Sequence, residues 1–124
     1  MTALLDHIGL PLSAFEKARD IYMPALAELG YRVVQEGPNS IGFGIDKKPE
    51  FTIYLSSQQS APAHIAFTAG NRAQVDAFYH AALAAGAQDN GEPGLRPEYH
   101  AHYYGAFLLD PDGNNIEAVC HDPG

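Results

Sequence analysis

Two histidines and one glutamate are the residues best suited to chemistry in this sequence. His7 opens His7-Ile8-Gly9-Leu10 and His64 opens His64-Ile65-Ala66-Phe67. Both runs alternate as a half-buried strand does, with Ile8, Leu10 and Leu12 on one face of the first and Ile65 and Phe67 on one face of the second. Each histidine falls on the opposite face. Glu117 lies in Ile116-Glu117-Ala118-Val119-Cys120. Ile116, Ala118 and Cys120 take the core face there, which turns Glu117 to the histidines' side. If these strands lie side by side in one curved sheet, two imidazoles and a carboxylate converge. That donor set suits a divalent metal with open positions, such as Zn(II), Ni(II), Mn(II) or Fe(II). A lone histidine on a wetted face would mean little. The repeated position and the matching parity carry the metal reading.

The elements that must position these residues come twice. After the first strand, Leu4 to Leu12, Ser13 and Glu16 form a capping-box signal for a helix. Phe15, Ala18, Ile21, Tyr22, Ala25, Leu26 and Leu29 follow at helical spacing, and Gly30 is the expected stop. Pro24 predicts a kink or local break. Three short strands are predicted at Tyr31–Glu36, Ile41–Asp46 and Phe51–Leu55, and polar residues 58–62 read as a linker. The pattern then restarts with a strand at Ala63–Thr68. A helix signed by Asn71 and Gln74 and ended by Gly86 follows. A Gly- and Pro-rich loop is expected from about Asn90 to Pro97. Tyr103–Asp110 and Asn114–His121 complete the half as a hairpin around Asp110-Pro111-Asp112-Gly113. Each half reads β-α-β-β-β, although the first strand after the second helix is poorly marked. About 60 residues with one helix are marginal alone, so the halves are expected to share a core. The reading is one domain over residues 1–124, with modules at about 4–57 and 63–121.

The stretch from Arg96 to Tyr104 is the second candidate feature. It is aromatic, rich in histidine and loop-like, and it leads straight into a strand of the histidine-bearing face. Arg96 can hold an anionic group, and Tyr99, His100 and Tyr103 can line a ligand site. His102 and Tyr104 are candidates for moving a proton. His100 and His102 would face one way on a strand. Three features are discounted. The Asp110–Asn114 run lacks the acidic twelfth residue of a calcium loop and reads as a turn. Gly42 and Gly44 lack the rest of a phosphate-binding loop. Cys120 falls on the core face and reads as a small buried hydrophobe.

Composition narrows the function. The 124 residues carry 7 basic and 15 acidic side chains, a formal charge of −8. That balance opposes binding to nucleic acid or an anionic membrane. One cysteine excludes an intrachain disulfide and suits a reducing cytoplasm. The N-terminus shows no basic, apolar leader, and no run approaches the ~20 apolar residues of a spanning helix. A cytoplasmic protein acting on a small molecule is expected.

Three stretches together resemble the vicinal oxygen chelate superfamily, which holds glyoxalases, bleomycin-resistance proteins, fosfomycin-resistance transferases and extradiol dioxygenases. They are Leu5-Asp6-His7-Ile8-Gly9-Leu10, Ala63-His64-Ile65-Ala66-Phe67 and Leu109-Asp110-Pro111-Asp112-Gly113-Asn114-Asn115-Ile116-Glu117-Ala118-Val119. The resemblance spans about residues 4 to 121. It implies an α+β fold of two βαβββ modules forming a cup-shaped mixed sheet with helices outside, in a homodimer. It implies metal ligands at His7, His64 and Glu117, with His7 able to complete a site on a partner chain. Glyoxalase I has a fourth ligand, a glutamate, on the last strand of the first module. Here that strand offers Thr52 at mid-strand, Glu50 at its entrance and Tyr54 on the same side. A three-ligand site fits this strand, and so does a degenerate site that binds no metal. The activity implied is metal-dependent lyase, transferase or dioxygenase chemistry, with Glu117 as both ligand and catalytic group. Extradiol enzymes usually have four modules, which counts against that choice. The alternative is metal-free sequestration of a small molecule, as in the bleomycin-resistance members.

Overall fold

The computed structural model describes residues 4–58 and 60–124. Residues 1–3 of the predicted leaderless terminus and Gln59 of the predicted linker lie outside them. Ten elements follow one another as β1 (Ile8–Leu12), α1 (Phe15–Ala27), β2 (Arg32–Gly37), β3 (Ser40–Gly44) and β4 (Phe51–Leu55), then β5 (His64–Thr68), α2 (Arg72–Ala84), β6 (Gln88–Leu95), β7 (Tyr104–Leu109) and β8 (Asn115–Cys120). The two halves form four-stranded sheets of the same order, β1-β4-β3-β2 and β5-β8-β7-β6. The first strand of each module pairs in parallel with its last, and the other pairings are antiparallel. This is the predicted βαβββ repeat.

Local chemistry accounts for most boundaries. The Asn71 side chain accepts from the Gln74 N–H at 2.8 Å, and Gln74 Oε1 accepts from the Gly70 N–H at 2.7 Å, so α2 starts on a reciprocal cap. Gly30 and Gly86 follow the helices with φ of 89° and 111°, a left-handed turn that favours glycine.

Three expectations need correction. The Ser13–Glu16 capping box does not form, because Ala14 is the N-cap and has no side-chain cap of its own. Instead Asp112, in the other module, accepts from the Ser13 N–H at 2.8 Å, the Ser13 hydroxyl at 2.9 Å and the Ala14 N–H at 3.0 Å. Of the kink or local break expected at Pro24, the break does not occur, since helix α1 continues through it. Finally, much of the expected loop after Asn90 is the eight-residue strand β6, whose register slips on either side of Gly91. Such irregularities let a strand carry glycines and a proline that would disrupt a regular ladder.

A single core joins the modules. Phe51 of β4 meets Phe67 of β5 edge-on with ring centres 5.0 Å apart, and Tyr31 meets Phe67 at 5.8 Å. The helices pack on each other. Tyr22 of α1 donates to buried Asp110 at 2.7 Å, and burial beside that carboxylate raises the Tyr22 pKa well above the usual phenol value. The Asp110–Asn114 turn thus acts as a polar bolt between modules.

This packing fixes the sense of the seam. The end of β1 meets the turn leading into β8, beside the start of β5. The His7 end of β1 shares a cavity of about 310 Å³ with Ile65, Ala66, Phe67 and Thr68, and Phe51, paired with Ile8, meets Phe67 toward the far end of β5. His7 and His64 therefore lie toward opposite ends of β5, whose span from His64 to Thr68 is about 13 Å at strand rise.

Candidate active site

Glu117 sits at the middle of β8, in register with Ala66 on β5 and Phe107 on β7. It is 1% exposed. A carboxylate so buried needs partners, since desolvation without them costs several kcal/mol. It has two. His64 Nε2 lies 2.8 Å from Oε1, and the Tyr103 hydroxyl donates to Oε2. Burial, and then the hydrogen bond to Glu117, push the Tyr103 pKa upward, so the phenol keeps its proton and remains a donor. His64 is half exposed, with its side chain at 54%. One end of the pair faces water and the other is fixed in the protein.

Glycine at position 105 permits this arrangement. A Cβ there would stand 3.1 Å from Tyr103 Cε1 and 3.4 Å from Glu117 Oε2. The Tyr103 ring needs that space to reach the carboxylate. The loop carrying Tyr103 is closed at its base by the Arg96 N–H donating to the Tyr103 carbonyl at 2.7 Å. Tyr99 packs on Tyr103 with centroids 4.8 Å apart. His100 and His121 stand edge-on to the same ring at 5.6 and 5.4 Å. The His102 N–H donates to His100 Nδ1 at 3.0 Å, so His100 carries its proton on Nε2, 2.7 Å from His121 Nδ1.

The other sequence-predicted residues separate by sheet and by face. His7 lies just before β1, exposed, with Nδ1 2.8 Å from an Asp6 oxygen. Glu50 lines the cavity beside it, and its Oε2 accepts from the Ile45 N–H at 3.3 Å. Thr52 is half-buried and Tyr54 exposed, both in the first sheet with His7 rather than beside His64. His102 is exposed in its loop, and the expected one-way alignment of His100 with His102 does not arise because this segment is not a strand. Tyr104 is paired with Cys120 on the helix-facing side. Its hydroxyl donates to Asp76 of α2 at 2.7 Å, a bond that, with burial, raises its pKa, and the Arg72 guanidinium lies over its ring. The structure thus places Tyr104 away from Glu117, and the adjacent Tyr103 reaches the carboxylate instead. The sequence reading overlooked Phe107, whose parity matches Glu117.

His64 Nε2 and Glu117 Oε1 offer a nitrogen and an oxygen side by side, the donor types that first-row divalent ions accept. They fit a metal as a two-donor half-site. Among the described residues of one chain, no group of three or more His, Cys, Asp or Glu converges. No helix among the described residues is long and apolar enough to cross a membrane.

Comparison with known proteins places the chain. Residues 4–118 match the family model of the Glyoxalase/Bleomycin resistance protein/Dioxygenase superfamily. No curated protein shows significant sequence similarity to the chain. Among solved structures, a glyoxalase/bleomycin resistance protein from Albidiferax ferrireducens is 26% identical with a TM-score of 0.78, covering 95% of this chain and 99% of its own. A family enzyme from Burkholderia phytofirmans is 19% identical at a TM-score of 0.72, covering 97% and 100%. A lactoylglutathione lyase from Agrobacterium tumefaciens is 17% identical at 0.69, covering 97% and 94%. The last two likenesses concern the fold alone. With the βαβββ repeat and a family match over nearly its whole length, the chain belongs to the Glyoxalase/Bleomycin resistance protein/Dioxygenase superfamily.

Proposed function

We propose that the protein is a metal-dependent enzyme of this superfamily that acts on a small molecule, of lyase, transferase or dioxygenase type, as a cytoplasmic homodimer. The observation that carries this reading is Glu117, buried to 1% exposure and held between His64 and Tyr103. His64 and Glu117 would hold a divalent ion, Zn, Ni, Mn or Fe. His7 of a second copy would be the third ligand, since within a chain His7 lies at the other end of the module seam. The ion would supply Lewis-acid polarisation of substrate oxygens.

The chain's own residues do the rest. Tyr103 fixes Glu117 by donating to Oε2, which leaves Oε1 for its partner. Tyr99 and Tyr103 wall the site, and the half-exposed His64 marks its open side. His100 and His102 stand where a proton can pass to water, and Thr52 and Tyr54 would line the side contributed with His7.

One observation favours a second reading, metal-free sequestration: His64 and Glu117 already satisfy each other through a 2.8 Å contact. Elemental mass spectrometry of the purified protein decides between the two, beside His64→Ala and Glu117→Gln. Close to one transition metal per chain, lost in both variants, supports the enzyme and justifies screening glutathione adducts and catechols. A wild-type chain that refuses added Zn(II), Ni(II), Mn(II) and Fe(II) overturns it in favour of sequestration.

A further inference from the structure

Arg96 carries a guanidinium that its own strand holds but no carboxylate pairs among the described residues. Its guanidinium lies flat against β6. A Cβ on Gly91 would stand 3.3 Å from Nη2, and one on Gly94 would stand 3.2 Å from Nη1. Two glycines three residues apart thus form a bed for it, within the strand whose composition read as a loop. Nη2 donates to the Glu92 carbonyl at 2.6 Å and Nη1 to the Leu95 carbonyl at 3.5 Å. The guanidinium carbon lies 5.4 Å from the Phe107 ring centre. These contacts hold the group in place without neutralising it. Glu98 borders the same cavity of about 300 Å³, yet Arg96 forms no ion pair among the described residues. Two of its five N–H groups are used, and three have no protein partner there.

Location gives this held charge a use. Phe107 is the common neighbour of Arg96 and His64, whose ring centre lies 6.4 Å from that of Phe107. Asn90 and Asn115, joined at 3.2 Å, complete the polar border of the cavity. The Phe107 ring and Asn115, which pairs with His64 across the strands, link the Arg96 cavity to the open side of His64. In a chain of formal charge −8, an unpaired, immobilised guanidinium at that point selects its ligand by sign.

We propose that Arg96 is the anion receptor of the His64–Glu117 site, and that its substrate or ligand is a small molecule bearing a carboxylate, phosphonate or phosphate group. The inference rests on the reading of His64 and Glu117 as the place where ligand binds. A guanidinium already fixed loses little side-chain freedom when it receives an oxyanion in two parallel bonds.

The test uses the full chain without added metal and two probes of similar shape, phenylphosphonate and benzyl alcohol. Affinities are measured by calorimetry for the wild type, Arg96→Met, Arg96→Lys and His64→Ala. The Arg96 Nε–H resonance is followed in parallel in the wild type. The expected result is phenylphosphonate binding at least ten-fold tighter than benzyl alcohol, since charge-assisted hydrogen bonds contribute about that much or more. Arg96→Met should abolish the preference, Arg96→Lys should keep part of it, and His64→Ala should weaken binding of both probes. The Arg96 resonance should move with phenylphosphonate alone, a readout that stands even if a variant fails to fold. No preference in the wild type, an unmoved Arg96 resonance, or a preference that survives in Arg96→Met overturns the inference. A protein that takes up no metal but shows the Arg96-dependent preference overturns the proposed enzyme alone. One that loads metal and shows no preference overturns the anion receptor alone.

Discussion

Removing the Asp112 carboxylate should uncouple the start of α1 from the second module. Asp112 accepts three hydrogen bonds there, at 2.8, 2.9 and 3.0 Å, and two of them satisfy N–H groups at the helix start that no local side chain caps. Ser13 is exposed, so water recovers part of the loss. Asp112→Ala is therefore expected to cost about 2 kcal/mol, the upper end for a lost N-cap, because charge-assisted bonds and a contact between modules go together. For a domain of this size that corresponds to about 6–10 °C in Tm. The cost should also depend on pH. Burial opposes ionisation of Asp112, but the Ser13 and Ala14 N–H groups and the Ser13 hydroxyl outweigh it and lower its pKa. A carboxylate with a lowered folded pKa contributes stability that is present above its unfolded value of about 3.9 and is lost as pH falls through the folded value. The gap between wild type and Asp112→Ala, from urea melts at several pH values, should be full at pH 6 to 7 and shrink below pH 4. A gap under about 0.5 kcal/mol at pH 7 would refute the cross-module cap, since that is the ordinary scatter of surface substitutions.

Further expectations follow from the same contacts. Tyr103→Phe leaves one oxygen of buried Glu117 without its donor and should destabilise by about 1–3 kcal/mol; chemical denaturation showing no loss would mean that water replaces the hydroxyl. Gly105→Ala places a methyl 3.1 Å from the Tyr103 ring, so it should displace Tyr103 and cost about 1–3 kcal/mol. A crystal structure of that variant with the Tyr103 ring unmoved would contradict the packing described. Pro24 is exposed inside α1, so Pro24→Ala should raise Tm by relieving an interior helix proline worth up to about 3 kcal/mol. A lower Tm would show that Pro24 makes a contact the helix needs.

Alternation alone made much of this fold legible. Leu10 and Leu12, Ile65 and Phe67, and Ile116, Ala118 and Cys120 are all buried on the faces that period-two spacing assigns them. Glu117 fell on the histidine side of its strand by the same rule, and its contact with His64 follows. Four features were hidden for physical reasons. Strand β6 carries Gly91, Pro93 and Gly94, which are breakers in isolation and tolerable only where the ladder slips. The cap of α1 comes from a residue about a hundred positions away, beyond any local motif. Tyr103 and Tyr104 look equivalent in sequence. The strand begins at Tyr104, so one tyrosine reaches the carboxylate while its neighbour faces α2. The distance between His7 and His64 is also set by how the modules meet, which the apolar pattern of either module leaves open.

Subunit mixing tests most directly whether His7 of one copy serves the His64–Glu117 pair of another. His7→Ala and His64→Ala chains are co-expressed with different tags, the mixed dimer is isolated, and its metal content is measured. Each variant alone should be empty. The mixed dimer holds one chain with both His64 and Glu117 and one with His7, so it should regain about half of the wild-type metal, one site of the two in a twofold dimer. A mixed dimer as empty as its parents, beside a wild-type dimer that loads fully, would contradict a site shared between chains.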